Sequence, residues 1–174
     1  STEDGSRQWT YLTTDGDETG AMVWSTVSVD LKTKTVYATT GNNYTVVGKG
    51  SDAFHAIDLE SGKSQWVKQV RENDIWTIFG ENAGDPLADT DFGANPILAK
   101  VDGKDIVAAG DKGGAFWMLS RDSGEIIWSR TDLSATHTAS NGGVLMNGAF
   151  DGKYFYVAVN EPPDHALLRV LDPK

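Results

Sequence analysis

The chain has 174 residues, a formal net charge of −10, 19 glycines, six tryptophans and no cysteine. That length is enough for one domain with a real core, and the lack of cysteine excludes disulfides and thiolate metal sites. The acidic balance leaves no basic face for nucleic acid or for an anionic membrane surface, and no apolar run approaches the ~18 residues of a membrane span.

Taken in order, the chain is built on a repeat. DGSRQW (Asp4–Trp9), AIDLESGKSQW (Ala56–Trp66) and MLSRDSGEIIW (Met118–Trp128) each carry a Trp four residues after a Gly. The closing LLRVLDPK (Leu167–Lys174) repeats the first half of the motif, with Asp172 standing where Asp58 stands. The chain therefore reads as beginning inside one copy and ending inside another, a segment of a longer array.

Between the motifs, short apolar runs bounded by turn residues predict strands. The first repeat gives Met22–Val29, Thr35–Thr40, Ala53–Asp58 and Ser64–Val70; the second gives Ala94–Ala99, Asp105–Ala109, Ala115–Ser120 and Glu125–Arg130. The third gives Gly143–Phe150, Tyr154–Val159 and Leu167–Leu171, without an outer strand. Asp102-Gly103, Ser123-Gly124 and Asp151-Gly152 supply turns.

Four strands and one Trp in each repeat of roughly 45–60 residues fit a β-propeller blade. Each indole is expected to pack between neighbouring blades, with its N–H on a backbone carbonyl. A β-sandwich would leave the half-motifs at both ends unexplained. The reading is an all-β segment of a single propeller domain over residues 1–174, with blades at 10–70 and 91–130 and an incomplete one at 142–174. The 71–90 stretch is long for a connection between blades, and its Trp76, Ile78 and Phe79 call for something to pack on. The second long connection, Thr131–Asn141, reads as an ordinary exposed loop.

Several motifs carry no chemistry. Gly62-Lys63-Ser64 ends like a phosphate loop, but it precedes a Trp-bearing strand and not a helix. His55, His137 and His165 lack metal-ligand spacing. What remains is a set of residues at strand ends: Trp24, Asn42, Asp89, Asp91 and Lys112. An Asn amide oxygen beside a carboxylate suits a hard cation, and a planar ligand wants an aromatic floor. Each also has a plain structural role open to it: Asn42 as a turn residue, Asp91 as a loop cap and Trp24 as core.

GAMVWSTVSVDLKTKTVYATTGNNY (Gly20–Tyr44), DTDFGANPIL (Asp89–Leu98) and GDKGGAFWMLSRDSG (Gly110–Gly124) resemble segments of the pyrroloquinoline quinone (PQQ) dependent alcohol dehydrogenases, quinoproteins with eight-bladed propellers. The wording is closest to the polyvinyl-alcohol dehydrogenase branch. The resemblance matches the family's Trp, Asp and Gly-Asn elements to Trp24, Asp30 and Gly41-Asn42. It implies Trp24 as the floor under PQQ, Asn42 and Asp91 as ligands to Ca²⁺, Asp91 as the base that takes the alcohol proton, and Lys112 as a contact to the quinone oxygens. An acidic loop of Asp85, Asp89 and Asp91 is expected to raise the pKa of its most desolvated member. It also implies a small or polymeric alcohol substrate, a cytochrome c or other periplasmic electron acceptor, the remaining propeller blades as neighbours, and a periplasmic or secreted location. The family's Glu metal ligand belongs to earlier blades, and the adjacent-cysteine disulfide of many members cannot form here. Gly93, two residues beyond Asp91, favours Ca²⁺ over a lanthanide. The alternative is a non-catalytic PQQ-repeat propeller that binds protein partners.

Overall fold

The computed structural model describes residues 1–16, 19–80, 89–134, 142–161 and 165–174. Three antiparallel meanders follow one another along the chain. The first sheet comprises β1 (Ser28–Asp30), β2 (Thr35–Thr39), β3 (Ala53–Asp58) and β4 (Ser64–Gln69). The second comprises β5 (Ile97–Val101), β6 (Lys104–Gly110), β7 (Phe116–Ser120) and β8 (Ile126–Arg130). The third comprises β9 (Ala149–Phe150), β10 (Phe155–Glu161) and β11 (His165–Leu171). β5 lies beside both β1 and β9, so the first strands are neighbours and the sheets fan out from them as propeller blades.

The middle strands are apolar on both faces because each sheet is covered on both sides. On β6, Ile106 and Ala108 join the core shared with the third sheet, while Val107 and Ala109 join the core shared with the first. This is the two-residue period of a strand with both faces dry. Phe54 and Phe92 meet edge-to-face at 5.0 Å in the first core, and Phe116 and Phe155 meet at 5.1 Å in the second. Fully burying such a ring contributes about 1.5–3 kcal/mol.

The tryptophan repeat works as a dock between sheets. Trp66, on β4, donates its indole N–H to the Arg121 carbonyl of the next sheet at 3.0 Å. Its ring lies against Gly124, where an added Cβ would come within 2.7 Å of the indole. Trp9 repeats the arrangement on Leu59 (2.9 Å) and Gly62. Both glycines sit at φ of about +70°, a conformation that disfavours any side chain. The Arg121 side chain extends the same joint, reaching Asp30 at 2.8 Å and Asp105 at 2.6 Å.

The first strand of every sheet is shorter than its apolar run predicts. Regular pairing begins at Ser28, Ile97 and Ala149, not at Met22, Ala94 and Gly143. The preceding residues leave the ladder where glycine and proline interrupt it: Gly20 and Gly143 have positive φ, and Pro96 has no N–H to give. In the third sheet the outer two strands run longer than predicted, to Glu161 and from His165.

His55, on β3, is buried and ties the N-terminal segment to the first sheet. Its Nε2 lies 3.0 Å from the Gly50 carbonyl and its Nδ1 lies 2.9 Å from the Tyr11 hydroxyl. A carbonyl only accepts, so Nε2 carries the proton and Nδ1 accepts from Tyr11. This histidine is structural.

Two predictions follow for the full-length protein. Trp66→Phe removes the shorter of two hydrogen bonds to the Arg121 carbonyl, leaving that of the Tyr37 hydroxyl at 3.3 Å, and should cost about 0.5–1.5 kcal/mol, while Gly124→Ala, strained and crowded at once, should lower the melting temperature at least as far. Burial holds the His55 pKa below its ordinary 6.5, so the unfolded chain takes up a proton before the folded one does. Stability should therefore fall as pH drops below about 6.5, and His55→Gln should flatten that limb of a melting-temperature titration.

Candidate active site

Beyond Thr39 the chain leaves β2 as Thr40-Gly41-Asn42-Asn43 and is gripped from two sides. Gly41 N–H donates to the Met22 carbonyl at 3.0 Å, and Ala21 N–H donates to the Asn42 carbonyl at 2.8 Å. On the other side Trp76 N–H donates to the Asn43 carbonyl at 3.0 Å, in a parallel bridge between Asn43 and Ile75. The loop after the first sheet is thereby packed against the Asn42 segment. Gly20 makes the close approach possible, since a Cβ there would lie 2.6 Å from the Asn42 carbonyl oxygen.

Trp24 stands at the centre of this face. The residue is 47% exposed, yet glycines hold its ring at two edges. A Cβ at Gly93 would lie 2.6 Å from its benzo ring, and one at Gly41 would lie 3.2 Å from its indole nitrogen and collide with an Asp91 carboxylate oxygen. Met22, Trp24, Gly41, Asn42, Tyr44 and Asp91 line a cavity of about 220 Å³. Asn42 uses its amide N–H₂ on the carbonyls of Asn43 (2.7 Å) and Trp76 (2.9 Å), which leaves the amide oxygen as its acceptor atom.

Asp91 joins the two sheets. Its Oδ1 accepts the Asn42 backbone N–H at 2.5 Å, and its own carbonyl accepts the Lys112 backbone N–H at 2.8 Å. Lys112 Nζ lies 3.5 Å from Asp91 Oδ2 but 2.6 Å from Asp89 Oδ1, and 5.8 Å from the centre of the Trp76 ring. Lys112 does not line the Trp24 cavity; the carboxylates connect it to the site. Trp24, Asn42, Asp91 and Lys112 are thus neighbours on one face. Asp30 is elsewhere, at the far end of the sheet and paired with Arg121. Asp85 lies outside the described residues.

Burial pushes the Asp89 carboxyl up to about 7; Asp91 beside it also raises it, and Lys112 opposes both. Asp52, fully buried behind Gly41, is pushed up to about 9, first by desolvation and then by the charges of Asp74, Asp91 and Asp111. Arg71 neutralises Asp111 through its Nε (3.1 Å) and lies over Trp117. Asp74 organises the backbone before Asp91: its carboxylate accepts Asp89 N–H, Thr90 N–H and the Thr90 hydroxyl at 2.9, 2.6 and 2.7 Å. Asp74 and the glycine cradle were not foreseen from the sequence; the acids spaced around Trp76 were the only trace. Among the described residues, no three His, Asp or Glu side chains gather into a metal cage, so a cation here would take further ligands from elsewhere.

The family model for the glucose/ethanol/alcohol dehydrogenase β-propeller domain that bears the name of PQQ matches residues 1–146. The chain belongs to this PQQ propeller family. It is 34% identical over 149 residues to a polyvinylalcohol dehydrogenase of a Pseudomonas species, covering 82% of this chain and 23% of that protein. It is 32% identical over 161 residues to a polyvinylalcohol dehydrogenase of a Sphingopyxis species, covering 86% of this chain and 24% of that one. The chain therefore spans about a quarter of the length of these relatives. The quinohemoprotein alcohol dehydrogenase of Comamonas testosteroni has the same fold, with a TM-score of 0.63 and 20% identity over 83% of this chain and 26% of that one. A europium-containing methanol dehydrogenase aligns with a TM-score of 0.61 and 20% identity over 81% of this chain and 30% of that one. No helix among the described residues is long and apolar enough to cross a membrane.

The cradle gives a direct test. In the full-length protein, Gly41→Ala should lower the melting temperature, because the added Cβ collides with the Asp91 carboxylate and crowds the Trp24 indole. It should also lower any activity of this face by roughly a hundredfold, since displacing Asp91 by about an ångström misaligns it.

Proposed function

We propose that this chain is the part of a PQQ-dependent alcohol dehydrogenase that carries the catalytic base and one face of the cofactor site. The observation that carries the reading is the wedge of Trp24 between Gly41 and Gly93, with Asp91 and Asn42 lining the same cavity. A half-exposed indole held between glycines offers a flat aromatic surface to a planar ligand. The donor set is also suitable, because an amide oxygen and a carboxylate are the hard oxygens that Ca²⁺ takes.

In this reading Trp24 is the floor for PQQ, and Asn42 and Asp91 contribute to the Ca²⁺ site. When bound, PQQ with its Ca²⁺ supplies the two-electron acceptor and the Lewis acid for oxidation of the alcohol carbon. Asp91 accepts the hydroxyl proton of the substrate. Its Oδ1 is fixed by the Asn42 N–H, so Oδ2 is the atom that receives the proton. Lys112 keeps positive charge beside the carboxylates and stabilises negative charge that develops nearby. The glycines let the backbone come close to the ring edge without a side chain in the way.

The similarity to polyvinylalcohol dehydrogenases supports a polymeric secondary alcohol as substrate. A periplasmic or secreted location and a cytochrome c type acceptor belong to the same proposal. A scaffold that binds protein partners would have no use for the cradle around Trp24.

The test is reconstitution of the full-length protein with PQQ and Ca²⁺, followed by dye-linked oxidation of polyvinyl alcohol. Turnover with quenching of tryptophan fluorescence by PQQ is expected; neither signal with any alcohol would sink the reading. Asp91→Asn should lower turnover by at least about a hundredfold while PQQ still quenches. Lost quenching would recast Asp91 as chiefly a cofactor or metal ligand.

A further inference from the structure

We propose that Asp89 is a positioning residue: as the near counter-ion of Lys112, it keeps the ammonium from closing on Asp91 and so leaves Asp91 Oδ2 free. The role of that oxygen rests on the dehydrogenase reading above, but the placement of the lysine does not. Lys112 Nζ stands 2.6 Å from Asp89 Oδ1 and 3.5 Å from Asp91 Oδ2, with the side chains of Lys112 and Asp89 only 9% and 2% exposed. A buried ammonium makes its short contact, near 2.8 Å, with whichever carboxylate offers the better position. Asp89 provides it. Without Asp89, the nearest anion is Asp91 Oδ2, and both oxygens of Asp91 would be engaged, since Oδ1 already accepts the Asn42 N–H.

The position of Asp89 is built into the backbone. Asp89 has φ of +64°, a conformation that Asp tolerates better than most residues. Asp74 holds it there by accepting the N–H groups of Asp89 and Thr90 and the Thr90 hydroxyl. Asp74 also gives its own carbonyl to Asn43 N–H at 3.3 Å. The loop after the first sheet therefore sets the position of Asp89 relative to the Asn42 segment. The Lys112 backbone is pinned in turn by the Asp91 carbonyl. With both main chains fixed, the carboxylates have little freedom except to share the ammonium unequally.

Asp89→Asn, Lys112→Met and their combination in the full-length protein test the assignment. Asn tolerates the same backbone conformation, and the double variant removes the ammonium together with its near counter-ion. A crystal structure of Asp89→Asn without cofactor should show Lys112 Nζ at roughly 2.8 Å from Asp91 Oδ2; Lys112 unmoved would overturn the proposal whatever the protein catalyses. With PQQ and Ca²⁺ supplied, Asp89→Asn should lower kcat by roughly a hundredfold, with KM and quenching by PQQ within about threefold of wild type. In the Lys112→Met background the same change should alter kcat by less than about threefold. Equal fold losses in both backgrounds would mean that Asp89 does not act through Lys112. If Asp89→Asn does not fold, Asp89→Glu keeps the charge and should retain kcat within about tenfold of wild type; a loss as deep as that of Asp91→Asn would overturn the role. A wild-type protein with neither quenching nor turnover would defeat the dehydrogenase reading alone, leaving the structural result to stand or fall by itself.

Discussion

The seam between the first two sheets determines whether the site exists. Trp24, Gly41 and Asn42 come from the first sheet's side, and Asp91, Gly93 and Lys112 from the second's. The hydrogen bond from Asn42 N–H to Asp91 therefore forms only if the sheets meet in one register. At the opposite end of the sheets, Trp66 on Gly124 and Arg121 between Asp30 and Asp105 set that register. Both devices are rigid. An indole N–H needs one carbonyl in one direction, and a guanidinium offers its donors in a fixed fork. The apolar core between the docks and the site supplies most of the adhesion, but dispersion has little directional preference and would not choose among small slips.

The peeling of the first strands follows from the same geometry. A strand that stays paired to its end offers its side chains only to the sheet faces, which here are dry. To turn a Trp and an Asp towards a shared cavity, the chain must leave the ladder, and its backbone groups must then find other partners. They do so through short irregular pairings, Ala21 with Asn42 and Gly41 with Met22. Residues with positive φ mark the departures at Ala21 and Asp89, neither of them glycine. Such strain persists where surrounding contacts over-determine it, and the Asp74 carboxylate is the contact that does so at Asp89.

Much of this was legible in the sequence, and the part that was not has a physical cause. The Trp repeat was readable because docking demands one residue type at one offset from a glycine. The strands of the sheet interiors were readable because both faces are apolar, whereas their extents near the site were not. Val23 and Val27 belong to the apolar run yet lie outside the ladder, exposed at 40% and 41%; periodicity reports apolarity, not pairing. Trp24, Asn42, Asp91 and Lys112 stood out as strand-end residues and took their roles from family resemblance, but their convergence needed coordinates, since 88 residue positions separate Trp24 from Lys112 (112 − 24). Asp89 was visible as one of a pair of acids, but nothing local tells which of two carboxylates a distant lysine will choose.

That choice has meaning because charge is unbalanced behind the site. Asp52, Asp74, Asp89, Asp91 and Asp111 are clustered with two cations, Arg71 and Lys112. Asp52 responds by holding a proton, its carboxyl being pushed up to about 9, and Asp89, also pushed up by burial, takes Lys112 at 2.6 Å. Asp111 instead takes Arg71 and the Trp117 N–H. Asp74 disperses its charge over three N–H and O–H donors. Each acid thus has its own means of tolerating burial except Asp91, whose Oδ2 has Lys112 only at 3.5 Å. A carboxylate oriented through one oxygen and incompletely paired at the other, beside a cavity, is suited to receive a cation or a proton.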